Sequence, residues 1–453
     1  MKLPNRQNYM NLKCFAAVTA VPLLGMTLHA AEIEITPGSL AASMRGIPAE
    51  DSALVIKGEA DARDFPALMS LPGHISRLDM SGLRIVECTM PSFRPGERSY
   101  YADGELKDYI FFGSALKYVA LPSNVEVIPE GAFASSMIEE VALPEGLHTV
   151  SAYAFYGCTK LAAFHGPAAL LSVGDCAFAK CTSLKDVTLP KGVAIDGAEV
   201  FSGSALASID ASGAVSYGDY SLSGIKSMRK AIVNPGATFG DGVLMSNSLL
   251  AQVEGTPQEV PTLYAASSKV LKISEIMEKA TEVGDYAFSS SYLSHIVFSS
   301  SLNHIGEGAF ARCTGLQSID ANLLGASLPT VADDAFEGIS TKDVFLYVSP
   351  DSYDIWAYDP LWSRFEIIAG PSKIEGVEAD SEIIIYPHKD VIVVEWPTTG
   401  GEVWIYGVNG NVVHSGSYSG DRVEIDMSGI GDKILIVKAS TEGSLRTATV
   451  MMP

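Results

Sequence analysis

The sequence predicts a repeat solenoid of short β-strands followed by a small all-β domain. Three observations carry that reading. Ala-Phe-x-x-Cys recurs as Ala154-Phe155 with Cys158, Ala177-Phe178 with Cys181, and Ala309-Phe310 with Cys313; cysteine-less copies stand at Ala132-Phe133 and Ala287-Phe288. A phrase Leu-x-x-Val-x-Leu-Pro precedes the turns, at residues 116–122 and 184–190. Beyond residue 380 the pattern changes to plain alternation of apolar and polar residues. A self-similar unit that cannot bury its apolar face alone must stack on its neighbours, and several units make a continuous core. Such repeats present surfaces more often than they enclose reaction pockets.

The aromatic or apolar residue of the Ala-Phe turn is placed at Phe133, Phe155, Phe178, Phe201, Leu222, Leu244, Tyr264, Phe288, Phe310 and Phe336. The intervals are 22, 23, 23, 21, 22, 20, 24, 22 and 26 residues, which makes about ten coils of ~22 residues. Each coil reads as a short strand, a bend at Pro or Gly, a second short strand and the turn. In residues 138–143 strand alternation points Val141 and Leu143 inward and Glu140 and Ala142 outward. Pro144 has no N–H for a ladder, so it ends the pairing. The turn phenylalanines are expected to stack coil upon coil.

The expected organisation follows the chain. Residues 1–30 read as a secretory signal: Lys2, Arg6 and Lys13 precede an apolar run from Cys14 to Leu28, and Ala30 ends a small-residue cleavage site. Residues 31–115 form an N-terminal capping segment and 116–369 the solenoid with an aromatic end-cap. Residues 370–380 form a Gly/Pro-bearing linker and 381–453 a β-sandwich. Its seven strands are placed at 383–386, 391–396, 403–406, 412–414, 423–426, 434–438 and 446–450. Asn409-Gly410 between two apolar runs signals a hairpin, because a type I′ turn needs positive φ at both central residues.

The repeats resemble the BspA-like leucine-rich repeats, a bacterial cell-surface variety. The matching residues are the Ala-Phe turns, the Leu-x-x-Val-x-Leu-Pro strands, and Ile305-Gly306 before Ala309-Phe310. Tyr353, Trp356, Tyr358, Trp362 and Phe365 resemble that family's closing coil; residues 54–58, 64–65 and 78–82 resemble its opening segment. Residues 381–453 resemble type IX secretion sorting domains of Bacteroidota through Val403-Trp404-Ile405-Tyr406-Gly407 and the strand at 434–438. They depart from that pattern at 431–435 and in the ending Met451-Met452-Pro453.

Charge narrows the partners. The formal net charge is −22, and −25 once residues 1–30 are removed, because three cations go and no acid does. Phosphate binding relies on cationic neutralisation, so nucleic acid is not an expected partner. No internal stretch reaches the ~18 consecutive apolar residues of a membrane span. Five cysteines follow residue 30. Cys158 and Cys181 share a register one coil apart, close enough for a disulfide. The copy next to Cys313 carries Ser290-Ser291 instead, which favours a small buried thiol at that position.

Catalytic and metal signatures are absent from the expectation: no Cys-x-x-Cys, no paired histidines, no Gly-x-Ser-x-Gly and no His-Glu-x-x-His. Glu139-Glu140 and Asp333-Asp334 diverge on alternating faces and read as solvated surface. Gly236–Gly242 reads as repeat turns that want positive φ. His165 and Asp186 are expected at equivalent places of adjacent coils, a chance pair with no nucleophile beside it. No cofactor and no enzyme activity are expected. The residues placed to meet a partner are the outward ones of the parallel ladder: Tyr118, Glu140, His165, Asp186, Asp210, His295 and Asp320, interspersed with Ala120, Ala142, Ala163, Thr188, Ser208, Val297 and Ser318. The resemblance implies an exported or cell-surface protein that adheres to extracellular proteins or host and bacterial surfaces. A ligandless envelope component and a glycan-binding accessory are the rival readings.

Overall fold

A computed structural model describes residues 30–91, 98–255, 257–268, 277, 279–369, 383–388, 391–396, 400–407, 412–428, 430, 434–441 and 444–451. The signal segment before Ala30, the linker, Asn409-Gly410 and the departure at 431–433 therefore lie outside the described residues.

Three rows of backbone hydrogen bonds run along the solenoid. The first ladder contains the parallel strands Tyr118–Ala120 and Glu140–Ala142, then Ala163–His165 with Asp186–Thr188, then Ser208–Ala211, Lys230–Val233 and Gln252–Glu254. Its last section joins His295–Val297, Ser318–Asp320, Phe345–Val348 and Glu366–Ala369. The segment expected as a cap extends this ladder: Ala30–Ile35, Ala53–Ala60 and Arg77–Asp79 pair in parallel, with Arg77 opposite Tyr118. Opposite runs a second ladder of two-residue strands, from Val127–Ile128 to Thr238–Phe239 and from Glu259–Val260 to Thr330–Val331.

The third row is the Ala-Phe turn. The N–H of Phe133 donates to the Ala154 carbonyl, that of Phe155 to Ala177 and that of Phe178 to Val200, each at 2.8 Å. Residues two before and two after each turn phenylalanine have positive φ: Gly131 and Ser135, Tyr153 and Gly157, Cys176 and Lys180. At Gly131 the need for glycine is also steric, because a Cβ there would come 2.2 Å from the Tyr109 ring of the preceding coil. Phe111, Phe133, Phe155, Phe178 and Phe201 stack at 5.2–5.4 Å between centroids, nearly coplanar from Phe133 onward. Phe111 adds a coil ahead of the expected start of the row.

This signature corrects one expectation. The turn residue of the weakest coil is Ala265, not Tyr264. Positive φ falls at Leu263 and Ser267, the Leu244 N–H donates to the Tyr264 carbonyl, and the Ala265 N–H donates to Ala287. Tyr264 thus stands in the slot alanine holds elsewhere, fully buried, its hydroxyl without a partner. Residue type misled the reading here because the aromatic and the alanine exchanged places. Of the glycines in 236–242, only Gly242 has positive φ.

The cysteine of the motif has a hydrogen-bonding role. Three residues after the turn residue of six coils, a side chain donates to the carbonyl of the preceding coil's turn residue: Cys158 Sγ to Phe133 and Cys181 Sγ to Phe155 at 3.0 Å. Asn247 does so to Leu222 (2.9 Å), Ser268 to Leu244 and Ser291 to Ala265 (both 2.8 Å), and Cys313 to Phe288 (3.0 Å). All these side chains are buried; several of the carbonyls also accept a backbone N–H, as Phe133 does from Ser136 at 3.0 Å, so the side chain adds a second donor that any small group of the right reach can supply. Cys158 and Cys181 are free thiols. Cys158 beside it and burial both push the Cys181 thiol up, and burial pushes Cys313 to about 12.

Acidic residues also serve the turns. Asp175, Asp219 and Asp285 each accept an N–H of the following coil through Oδ1, at 2.8–2.9 Å. Asp334 accepts from Gly308 N–H at 3.2 Å, so it caps a turn where solvated surface was expected. Trp356, Trp362 and Phe365 close the C-terminal end over Phe336, with Trp356 Nε1 donating to the Gly325 carbonyl. Beyond residue 380, seven antiparallel strands among the described residues form one three-stranded and one four-stranded sheet around a separate core that includes Ile385, Ile392, Trp396, Val403, Leu435 and Val437. Gly401–Gly407 and Val412–Tyr418 pair as the hairpin that Asn409-Gly410 signalled.

Candidate functional site

The outward positions of the first ladder form the candidate site. Strand residues alternate faces, and the middle residue of each short strand is the one that enters the core: Val119, Phe164, Ile209, Ile296 and Ile319 are buried. The flanking residues therefore line up on the outer face in two columns. One column runs Arg77, Tyr118, Glu140; further on it holds Asp186, Ser208, Lys230 and Gln252, and then His295 and Ser318. The other holds Asp79, Ala120 and Ala142, then His165 and Thr188, Asp210 and Glu254, and Val297 and Asp320.

Glu140, His165, Asp186 and Asp210 are exposed. Tyr118, His295 and Asp320 are half-buried. Ala120 and Ser318, expected outward, are covered. His165 and Asp186 do not occupy equivalent places: Asp186 pairs with Ala163, and His165 with Thr188. They meet diagonally at 3.9 Å, and His165 Nδ1 lies 3.2 Å from Thr188 Oγ1. The aligned phrases Leu161 to Pro167 and Leu184 to Pro190 carry this register: His165 and Thr188 each stand four residues after the leucine and two before the proline.

Local chemistry differs along the columns. The Arg77 guanidinium lies 4.1 Å from the Tyr118 ring centre, a cation–π arrangement. Burial, with Asp79 and Glu140 near, raises the Tyr118 phenol. Asp210 accepts from the Ser212 hydroxyl (2.6 Å) and N–H (3.0 Å), which hold its carboxyl low. Lys230 and Glu254 pair at 2.7 Å. His295 Nδ1 lies 2.6 Å from Ser318 Oγ, and desolvation lowers its imidazole to about 4. Arg77, Lys230 and Glu254 were missed by sequence reasoning: Arg77 lay in the segment assigned to a cap, and the coils at 230 and 252 lack the Ala-Phe landmark. The residues equivalent to the next first-ladder strand fall among 269–276, outside the described residues.

Nothing in this face builds a reaction centre. Among the described residues no group of three or more His, Cys, Asp or Glu is placed to hold a metal ion. No described helix is long and apolar enough to cross a membrane. The arrangement offers alternating small, charged and hydroxyl side chains at coil spacing, the chemistry of a distributed contact surface.

Comparison with known proteins agrees with the fold. The model of the BspA-type leucine-rich repeat region matches in six copies over residues 104–239 and 264–359, just over half of the chain. A leucine-rich repeat protein from Bacteroides ovatus is 20% identical over 64% of this chain and 86% of its own, with a TM-score of 0.41. A leucine-rich cell surface protein from Faecalibacterium prausnitzii is 17% identical over 67% and 89%, with a TM-score of 0.32. The leucine-rich repeat protein of T. pallidum is 27% identical over 39% and 78%, with a TM-score of 0.31. No curated protein matches the chain.

Proposed function

The chain belongs to the BspA-type leucine-rich repeat family, and from that premise we propose that it is an exported surface protein that binds a protein partner through the outer face of its first ladder. The observation that carries this reading is the register of that face. Tyr118 and Glu140, then Asp186, then Asp210, and then His295 and Asp320 stand outward on the sections of the first ladder, with Arg77, Lys230 and Glu254 among them. Binding spreads over several coils, each contributing weakly, because aromatic anchors are few. Net negative charge directs the face to a partner with basic patches.

Residues 1–30 serve as the export signal in this reading, and the C-terminal sandwich serves as the sorting domain that takes the chain across the outer membrane. The test has two arms. Protease shaving of intact cells should cleave the full chain and spare a variant truncated after Gly370. Cells carrying Glu140→Lys, Asp186→Lys and Asp210→Lys together, with the fold verified by circular dichroism, should lose adherence to bacterial and epithelial surfaces. Protection of both chains from protease, or undiminished adherence of the triple variant, contradicts the proposal.

A further inference from the structure

The second ladder is broken at one place. From Ile128 onward, a residue just after each strand donates its N–H to a carbonyl of the preceding coil: Ser151 to Ile128, Gly174 to Val150, Gly197 (one residue later) to Val173, Gly218 to Ile195, Gly240 to Tyr217, then Gly284 to Val260 and Gly306 to Val283. In the coil between them that residue is Pro261, which has no N–H. Strands Thr238–Phe239 and Glu259–Val260 consequently do not pair, and no donor reaches the Phe239 carbonyl among the described residues. The same two coils stay joined on the other rows, by Lys230 opposite Gln252 and by the Leu244 N–H on Tyr264. They splay on one side only. Tyr264, bulky where other coils have alanine and with its buried hydroxyl unpartnered, meets the Phe239 ring edge-on at 6.1 Å.

The splay is a cleft of about 600 Å³. Its lining carries three carboxylates beside the side chains of Thr238, Gln258, Thr262 and His304. Pro235, Pro257 and Pro261 contribute no N–H, Ala237 and Phe239 present ladder carbonyls, and Asp241, Glu259 and Glu282 present carboxylates. Glu259 and Glu282 are direct register partners, a like-charge pair on adjacent parallel strands about 4.8 Å apart. Such a pair is destabilising unless a cation sits beside it. On the other side of the break the same outward column carries the uncharged Thr149, Ser172, Ala194, Ser216 and Thr238, and beyond Glu282 it continues with His304 and Thr330.

We infer that the Pro261 cleft receives a cationic side chain, arginine above all, from an extended segment of a polypeptide partner. A guanidinium donates five N–H bonds in a planar fork and accepts none, which complements two carbonyls and a carboxylate pair. The site is separate from the first-ladder face, so either can fail without the other. The test uses the full chain and a fluorescein-labelled hexa-arginine peptide at physiological salt. Glu259→Gln with Glu282→Gln should weaken binding about tenfold or more. Pro261→Ala, which leaves the net charge unchanged but returns the N–H to the Phe239 carbonyl, should close the cleft and weaken binding to a similar degree. Glu145→Gln with Glu337→Gln removes the same charge from other coils and should change affinity less than about twofold. Hydrogen exchange of the wild-type chain with and without peptide should show new protection at 257–262 and 282. Equal losses in the control pair, full binding by Pro261→Ala, or no protection there would overturn the inference.

Discussion

The coils from Phe111 to Phe201 and those from Leu222 to Ala265 keep the same backbone around different interiors. In the first group, flat rings stack at 5.2–5.4 Å and the latch to the preceding carbonyl is a thiol where it forms. In the second, the turn position is leucine or alanine, the stack at that position gives way to the Tyr217, Phe239 and Tyr264 rings, and Asn247 joins four groups at once. It donates to the Leu222 and Leu244 carbonyls, accepts from the Ile225 N–H, and through its own N–H reaches Ser268 Oγ. Positive φ two residues either side of the turn residue persists through both. The feature common to both groups is therefore the turn geometry, and the aromatic is one of several ways to fill the space between.

The comparison can be broken at the ring stack first. Phe155→Asp places an unpaired charge between Phe133 and Phe178 and should cost more than about 4 kcal/mol, read as loss of the cooperative urea transition. Phe155→Ala should cost about 3–5 kcal/mol, and Leu244→Ala a little less, about 2–4 kcal/mol, because less surface leaves the core. If Leu244→Ala is the more damaging of the two, the stack is not what stabilises the first group.

Asn247→Ala removes a buried hub and should cost about 2–3 kcal/mol, while Cys158→Ser, which keeps a donor for the Phe133 carbonyl, should stay within about 1 kcal/mol. Denaturant midpoints decide between them. Equal effects would mean that the latch is only a space-filler.

His295 sharpens the contrast from the far side of the weak coil. Its imidazole is lowered from 6.5 to about 4, so the folded chain resists a proton that the unfolded chain takes up. Stability should therefore be intact above about pH 6.5 and fall as pH drops from there towards 4. Because part of the ring keeps contact with solvent, the loss is set at about 1–3 kcal/mol. His295→Gln should flatten that part of the pH profile of Tm. An unchanged slope would show that other groups cause it.

Much of this was legible before any coordinate. Proline after a Leu-x-x-Val-x-Leu strand and the 22-residue spacing of phenylalanines dictate stacked coils, and Trp356, Trp362 and Phe365 could cover nothing but an open end. Seven alternating segments gave the seven strands of the sandwich. Tyr264 was misread because an aromatic was followed where backbone geometry, carried by Leu263 and Ser267, was the true signal. The register of His165 against Thr188 was also legible, since each stands four residues after a leucine and two before a proline; pairing His165 with Asp186 overlooked that alignment. Arg77 escaped because nothing in residues 31–115 repeats the Ala-Phe turn, although the strand it stands on joins the same ladder.

The measurement that tests the account most directly is native-state hydrogen exchange of the full chain, resolved to single coils. Amides of Phe133, Phe155, Phe178, Leu244 and Ala265 donate to neighbouring coils and should exchange slowly, in both groups alike. Glu259, beside Pro261, should exchange far faster than Leu244 and Ala265 on either side of it. Slow exchange at Glu259 would mean that the second ladder is continuous there; fast exchange throughout Leu222 to Ala265 would mean that turn geometry without rings does not hold a coil.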